Sequence, residues 1–83
     1  MNVTRLEDNT IQVYSTLNQW IDLKFKFDLL HDLDRAELII KEAYDSYWGN
    51  ADAECETVSD WICSKLDDAG IINYEVIYNE ERK

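Results

Sequence analysis

The stretch IDLKFKFDL, residues 21–29, decides the fold, because five large apolar side chains alternate there with four charged ones. An α-helix would scatter those apolar side chains around its circumference, whereas a strand places all of them on one face. We therefore predict an antiparallel strand with one buried face and one face toward solvent. Lys24 and Lys26 fall on the face toward solvent, where lysines discourage pairing with a foreign strand.

Two further strands are predicted from the same period of two. Thr10–Leu17 alternates before the central stretch, and Asn18 with Gln19 supplies the turn between the two strands. Ile72–Tyr78 alternates near the end of the chain, and residues 79–83 beyond it are expected to be mobile. The sheet is thus predicted to have about three strands.

The first nine residues carry a weaker pattern. Val3 and Leu6 are the only interior apolar side chains of this segment, and Asp8 with Asn9 favours a turn. We expect residues 1–9 to form either a short edge strand or a mobile arm.

The period changes to 3.6 after the central stretch, which indicates a helix. Asp34 is a suitable N-cap, so the first helix is predicted to begin at about Arg35, and Gly49-Asn50 is predicted to end it. Its broad apolar stripe consists of Ala36, Ile39, Ile40, Ala43, Tyr44, Tyr47 and Trp48.

The second helix is predicted over Val58–Ala69, and both of its ends are marked in the sequence. Thr57 is a suitable N-cap. Gly70 follows the helix as the C′ residue of a Schellman ending, in which the apolar side chains of Leu66 and Ile71 make contact.

These elements predict one small acidic α+β domain over residues 1–83. We expect an antiparallel sheet of about three strands, with two helices packed on one of its faces, in the order β-β-α-α-β. A chain of 83 residues has room for one hydrophobic core.

The net charge of −10 is concentrated in the second half of the chain. Glu42–Glu81 holds eleven acidic residues and one lysine, whereas Met1–Lys41 holds seven acidic and five basic residues. Because 46% of the residues are hydrophobic, this charge is expected on a folded surface rather than in a disordered tail. A negative surface repels nucleic acid and anionic lipid, and the first nine residues do not resemble a signal peptide. We expect a reduced, cytoplasmic protein.

No residue pattern points to catalysis, a metal or another cofactor. His31 lies near Asp32 and Asp34, but its spacing to Cys55 and Cys63 matches no common zinc site, so a loop histidine is expected. The two flanking glutamates would raise the pKa of the Cys55 thiol and make it less reactive. Paired acids such as Asp67 and Asp68 lack the apolar pocket that acid–base catalysis requires.

Acidic residues outside the predicted core are the candidates for binding a partner. They would steer a basic surface toward the domain, while aromatic side chains at the end of the first helix supply a packed centre. The alternative is that the acids only keep the protein soluble. The acidic candidates are Glu42, Asp45, Asp52, Glu54, Glu56, Asp60, Asp67 and Asp68, and the aromatic ones are Tyr47 and Trp48.

A resemblance adds to this interpretation. The segment AYDSYW at 43–48, an acidic linker, Trp61-Ile62, and LDDAGI at 66–71 leading into Tyr74-Glu75-Val76 resemble small acidic accessory proteins of bacteriophages and mobile elements. That class includes anti-CRISPR and anti-restriction proteins, many of which mimic DNA or block nucleases.

The resemblance implies a non-enzymatic inhibitor. Its partner would be the basic, nucleic-acid-handling surface of a host defence nuclease or of another DNA-binding protein. The alternative is an adaptor or self-associating phage or bacterial domain that uses the aromatic end of the first helix. Either a monomer or a homodimer is compatible with the sequence.

Overall fold

The computed structural model describes residues 2–16, 20–28, 32–48 and 57–82, with the backbone alone for 78–82. The described parts contain a four-stranded sheet and two helices in the order β-β-β-α-α-β, which confirms the α+β class. The elements are β1 (Val3–Arg5), β2 (Thr10–Ser15), β3 (Trp20–Phe27), α1 (Leu33–Tyr47), α2 (Val58–Asp68) and β4 (Tyr74–Arg82).

All four strands form one antiparallel sheet in the order β1-β2-β3-β4. β3, the strand predicted from the central stretch, has a neighbour on each side, and its register places Phe25 opposite Ile11 and Leu23 opposite Val13. The predicted alternation is confirmed for residues 21–27, because the apolar side chains of one face are buried, while Leu29 lies outside the described residues. The buried side chains of this face are Val3, Ile11, Val13, Ile21, Leu23, Phe25 and Phe27.

The other face of the sheet is partly polar and more exposed. Lys26 is exposed and lies opposite Glu75 of β4, and the Gln12 amide donates a hydrogen bond to Asp22 Oδ1 at 2.9 Å. Tyr14 also lies on this face and is 47% exposed.

The number of strands differs from the prediction because Val3–Arg5 pairs with β2 instead of forming a mobile arm. A tight turn makes this pairing possible. Asp8 and Asn9 both adopt positive φ, 59° and 58°, a region that these two residue types tolerate better than most. The Leu6 N–H then donates to the Thr10 carbonyl at 2.7 Å, which confirms the predicted turn.

The last strand begins and ends later than predicted. Ile72 precedes the strand and is 67% exposed, while the backbone of β4 continues to Arg82. The backbone of 79–82, where a mobile tail is predicted, thus belongs to β4, and Lys83 lies outside the described residues. β4 extends this far because Trp20 of β3 lies opposite Arg82, and backbone groups can pair there whatever the residue type. One irregularity interrupts the β3–β4 register, beside Asp22 and Leu23.

The chain divides into two compact units. One is the sheet, formed by Met1–Leu33 with Asn73–Lys83, and the other is Asp34–Ile72, which carries nearly all of the two helices. α1 begins at Leu33, so Asp34 lies in its first turn and the predicted N-cap role is wrong. The predicted end of this helix at Gly49-Asn50 lies outside the described residues.

The two helices run antiparallel to each other. The Arg35 guanidinium, near the start of α1, donates to the Ala69 carbonyl at the end of α2, with an N–O distance of 3.0 Å. Near the other end, Trp61 Nε1 donates to the Ala43 carbonyl at 3.0 Å. Neither helix of the described chain is long and apolar enough to cross a membrane. Their buried apolar residues are Ala36, Ile40, Ala43, Tyr44, Tyr47, Val58, Ile62 and Leu66.

Candidate acidic interaction surface

The ends of α2 are fixed by the two capping structures that the sequence predicts. Thr57 is the N-cap, and its Oγ1 accepts a hydrogen bond from the Asp60 N–H at 3.1 Å. At the other end the Ile71 N–H donates to the Leu66 carbonyl at 3.0 Å, and the Gly70 N–H donates to the Asp67 carbonyl at 2.9 Å. Gly70 has φ 83°, and both apolar partners are buried, so the Schellman ending is confirmed.

These capping structures determine where the acidic residues of α2 lie. Asp60 is in the first turn, whereas Asp67 and Asp68 are in the last turn, and all three side chains are exposed. Asp67 follows Asp60 by seven residues, or about 10.5 Å of helix, so the two residues lie on the same side of α2. The outer surface of the helix consequently carries negative charge at both ends.

The helix dipole separates these acidic residues into two kinds. Negative charge stabilises the N-terminal end of a helix and destabilises the C-terminal end. Asp34 in α1 and Asp60 in α2 occupy the favourable end. Asp68 occupies the unfavourable end of α2, and Asp45 occupies the unfavourable end of α1, whose last turn contains no basic residue. Stability of the fold therefore explains the positions of Asp34 and Asp60 but not those of Asp45 and Asp68.

Basic residues in this part of the chain are engaged locally. Lys41 pairs with Glu37 at 2.8 Å, one helical turn away. Lys65 Nζ lies 4.4 Å from the centre of the Trp61 ring, and Arg35 binds the carbonyl at the end of α2. Asp34–Ile72 contains ten acidic and three basic residues, so it contributes −7 of the net charge of −10.

The predicted aromatic candidates differ in accessibility. Tyr47 is only 4% exposed, and burial leaves this ring almost no surface for a partner. Trp48 is half-buried, and its ring packs edge-on against Tyr47 and Tyr44, with centroid distances of 4.9 and 5.8 Å. The ring of Trp48 is thus held in place while part of it faces solvent.

A groove of about 300 Å³ lies in the helical unit and was not found from the sequence. Glu42 and Lys65 both line it, so the groove contains both signs of charge. The Ser46 hydroxyl, also in the lining, donates to the Ala43 carbonyl at 3.1 Å. The only sequence signal for this groove is the small side chains of Ala43 and Ser46, three residues apart on one side of α1.

The remaining predicted site residues lie elsewhere or outside the described chain. Asp52, Glu54 and Glu56 fall outside the described residues, as do His31 and Cys55. Cys63 is half-buried on α2. Among the residues that the structure describes, no three His, Cys, Asp or Glu side chains are grouped closely enough to hold a metal ion.

Comparison with known proteins adds no constraint on function. No protein-family model, no curated protein sequence and no solved structure matches this chain.

Proposed function

We propose that the protein is a binding inhibitor whose acidic helical unit occupies a basic, nucleic-acid-handling surface of another protein. The partner class is a host defence nuclease or another DNA-binding protein. Such proteins hold the phosphate backbone in basic grooves, and a folded domain with regularly spaced carboxylates is complementary to them.

The observation that carries this proposal is the placement of Asp45 and Asp68 at the C-terminal ends of the two helices. A carboxylate at this position opposes the helix dipole, typically by about 0.3–1 kcal/mol. Sequences that break a local stability rule commonly do so at functional positions. A purely solubilising role gives no reason for the charge to lie at these ends, because a carboxylate elsewhere on the surface would serve as well.

Charge alone would give a fast but weak association, so the proposed interface also needs an apolar contact. Trp48 provides it. This residue follows Asp45 by three positions at the end of α1, and its partly exposed ring is supported by Tyr44 and Tyr47. A carboxylate beside a fixed aromatic ring suits an arginine of the partner, whose guanidinium stacks on rings and pairs with carboxylates.

The test compares two variants of equal net charge. Asp45→Asn with Asp68→Asn neutralises the candidate surface, and Glu7→Gln with Asp8→Asn neutralises two exposed acids in the β1–β2 turn. Each immobilised protein is used to capture partners from bacterial lysate at about 50 mM and about 300 mM salt, because surface electrostatics weaken as the screening length shortens.

We expect the wild type and the turn variant to retain the same basic protein at low salt, and the helix variant to lose it. Added duplex DNA should release the captured protein, since both compete for one surface. Equal losses in both variants would show that only net charge matters. Retention that is insensitive to salt and to DNA would refute the proposal.

A further inference from the structure

The groove in the helical unit has unlike charges on the two helices that line it. Glu42 of α1 supplies a carboxylate, and Lys65 of α2 supplies an ammonium. Among the residues that the structure describes, these two groups do not pair with each other, and the Glu42 carboxylate has no ion-pair or hydrogen-bond partner. Nearby on α1, Lys41 and Glu37 do pair, at 2.8 Å. The groove therefore keeps one carboxylate and one ammonium available to a ligand.

Hydrogen bonds between the two helices hold the walls of this groove in place. Trp61 Nε1 of α2 donates to the Ala43 carbonyl at 3.0 Å and to the Ser46 hydroxyl at 3.3 Å, and both acceptors belong to lining residues of α1. Lys65 Nζ lies 4.4 Å from the centre of the same Trp61 ring, a contact that restricts the position of the ammonium. Groups that are already held in place lose less conformational freedom when a ligand binds.

The size and the lining of the groove limit what it can hold. Its volume of about 300 Å³ is at the lower end of the range for small-molecule sites, which suits a ligand with few heavy atoms. Ile39 and Ala43 add apolar lining, and an aliphatic chain can pack against it. A matching ligand therefore carries an ammonium, a carboxylate and a short apolar chain.

We propose that this groove binds a free α-amino acid with an aliphatic side chain. Its ammonium would lie on Glu42, its carboxylate on Lys65 and its side chain against the apolar lining. Each charged end makes a charge-assisted contact, which is stronger than a contact between neutral groups. The proposal does not rest on the inhibitor role, because neither Asp45 nor Asp68 is among the described lining residues.

The first test uses leucine as the probe, with two analogues that each lack one of its charges. Leucinamide keeps the ammonium, which stays protonated at about pH 6.5, and isocaproate keeps the carboxylate. Titration of the isotope-labelled full chain is followed by NMR. For leucine we expect saturable shifts of the amide signals of Ile39, Ala43 and Ser46, with a dissociation constant of about 1 mM. Each analogue should bind at least about tenfold more weakly.

The second test assigns each charge of the ligand to its wall of the groove. Glu42→Gln should weaken leucine binding at least about tenfold without weakening isocaproate binding. Lys65→Gln should weaken leucine binding by a similar factor without weakening leucinamide binding. A variant that failed to fold would lose every ligand, so the retained analogue is the control for folding.

Asp60→Asn is the matched control for charge. It changes the net charge by the same amount as Glu42→Gln, and Asp60 is exposed on α2 and is not among the described lining residues. This variant should bind leucine like the wild type. The proposal would be overturned by leucine titrations without saturable shifts, by analogues that bind as tightly as leucine, or by equal weakening in Asp60→Asn and Glu42→Gln.

Discussion

Asp60 and Asp68 lie at opposite ends of the same helix, and their neutralisation should change stability in opposite directions. Asp60→Asn removes negative charge from the positive end of α2, and Asp68→Asn removes it from the negative end. We expect the first substitution to lower the free energy of unfolding by about 0.3–1 kcal/mol and the second to raise it by a similar amount. The two variants should therefore differ by about 0.6–2 kcal/mol.

The pair is well matched because both side chains are exposed and both substitutions change the net charge from −10 to −9. Relief of general repulsion within an acidic protein is thus common to the two variants and cancels in their comparison. Asparagine also keeps nearly the same shape as aspartate, so packing changes are small.

Urea unfolding followed by circular dichroism measures the difference, provided that the m-value is the same in both variants. In thermal unfolding each change corresponds to about 1–8 °C in Tm for a domain of this size. The difference should nearly vanish in about 1 M NaCl, where the Debye length is about 3 Å. Equal destabilisation by both substitutions would refute the dipole argument. It would show that the Asp68 carboxylate has a structural role, for example beside Arg35, which binds the neighbouring Ala69 carbonyl.

Two further predictions concern the helical unit. Gly70→Ala should lower the free energy of unfolding by about 1–2 kcal/mol, because its φ of 83° is unfavourable for alanine. A Cβ at this position would meet nothing within 4 Å, so the whole effect is conformational. Gly70→Asn should cost less in the same urea titration, and an alanine variant as stable as the wild type would contradict the assigned backbone conformation. Trp61→Phe should lower the free energy of unfolding by about 0.5–1.5 kcal/mol, because it removes the hydrogen bond from Nε1 to the Ala43 carbonyl at 3.0 Å. A wild-type midpoint for Trp61→Phe would show that this bond contributes nothing to stability.

The sequence predicted best those elements whose side-chain pattern and backbone pairing agree. The central strand was predicted correctly because five apolar residues alternate there, a pattern that fits only a strand. The capping of α2 was predicted correctly because Thr57 and Gly70 are typical of the start and the end of a helix. The extra strand Val3–Arg5 was only one of two alternatives, since three residues carry almost no periodicity and their position depends on pairing with β2. β4 extends to Arg82 for the same reason.

The candidate site was predicted by residue type, but its geometry was not. The sequence already placed Asp60 at the positive end of α2, but the choice of candidates by charge treated Asp60 and Asp68 alike. The structure confirms the helix bounds, which put Asp68 in the last turn, where its charge opposes the fold. Hydrophobic periodicity placed Tyr47 and Trp48 on one stripe, yet only the second keeps part of its ring exposed. Periodicity reports the mean direction of a stripe, whereas exposure at its margin depends on which side chains of the other helix lie beside it.

Salt and stability together separate the proposed interaction from loss of folding. Binding of a basic partner by the carboxylates of the helical unit weakens as salt rises, because the attraction is screened. Neutralising Asp45 and Asp68 should therefore remove capture of the partner at low salt without lowering the free energy of unfolding, since both carboxylates oppose a helix dipole. If the two substitutions removed capture and lowered stability together, the simpler explanation would be loss of folding, and the surface could not be assigned its function.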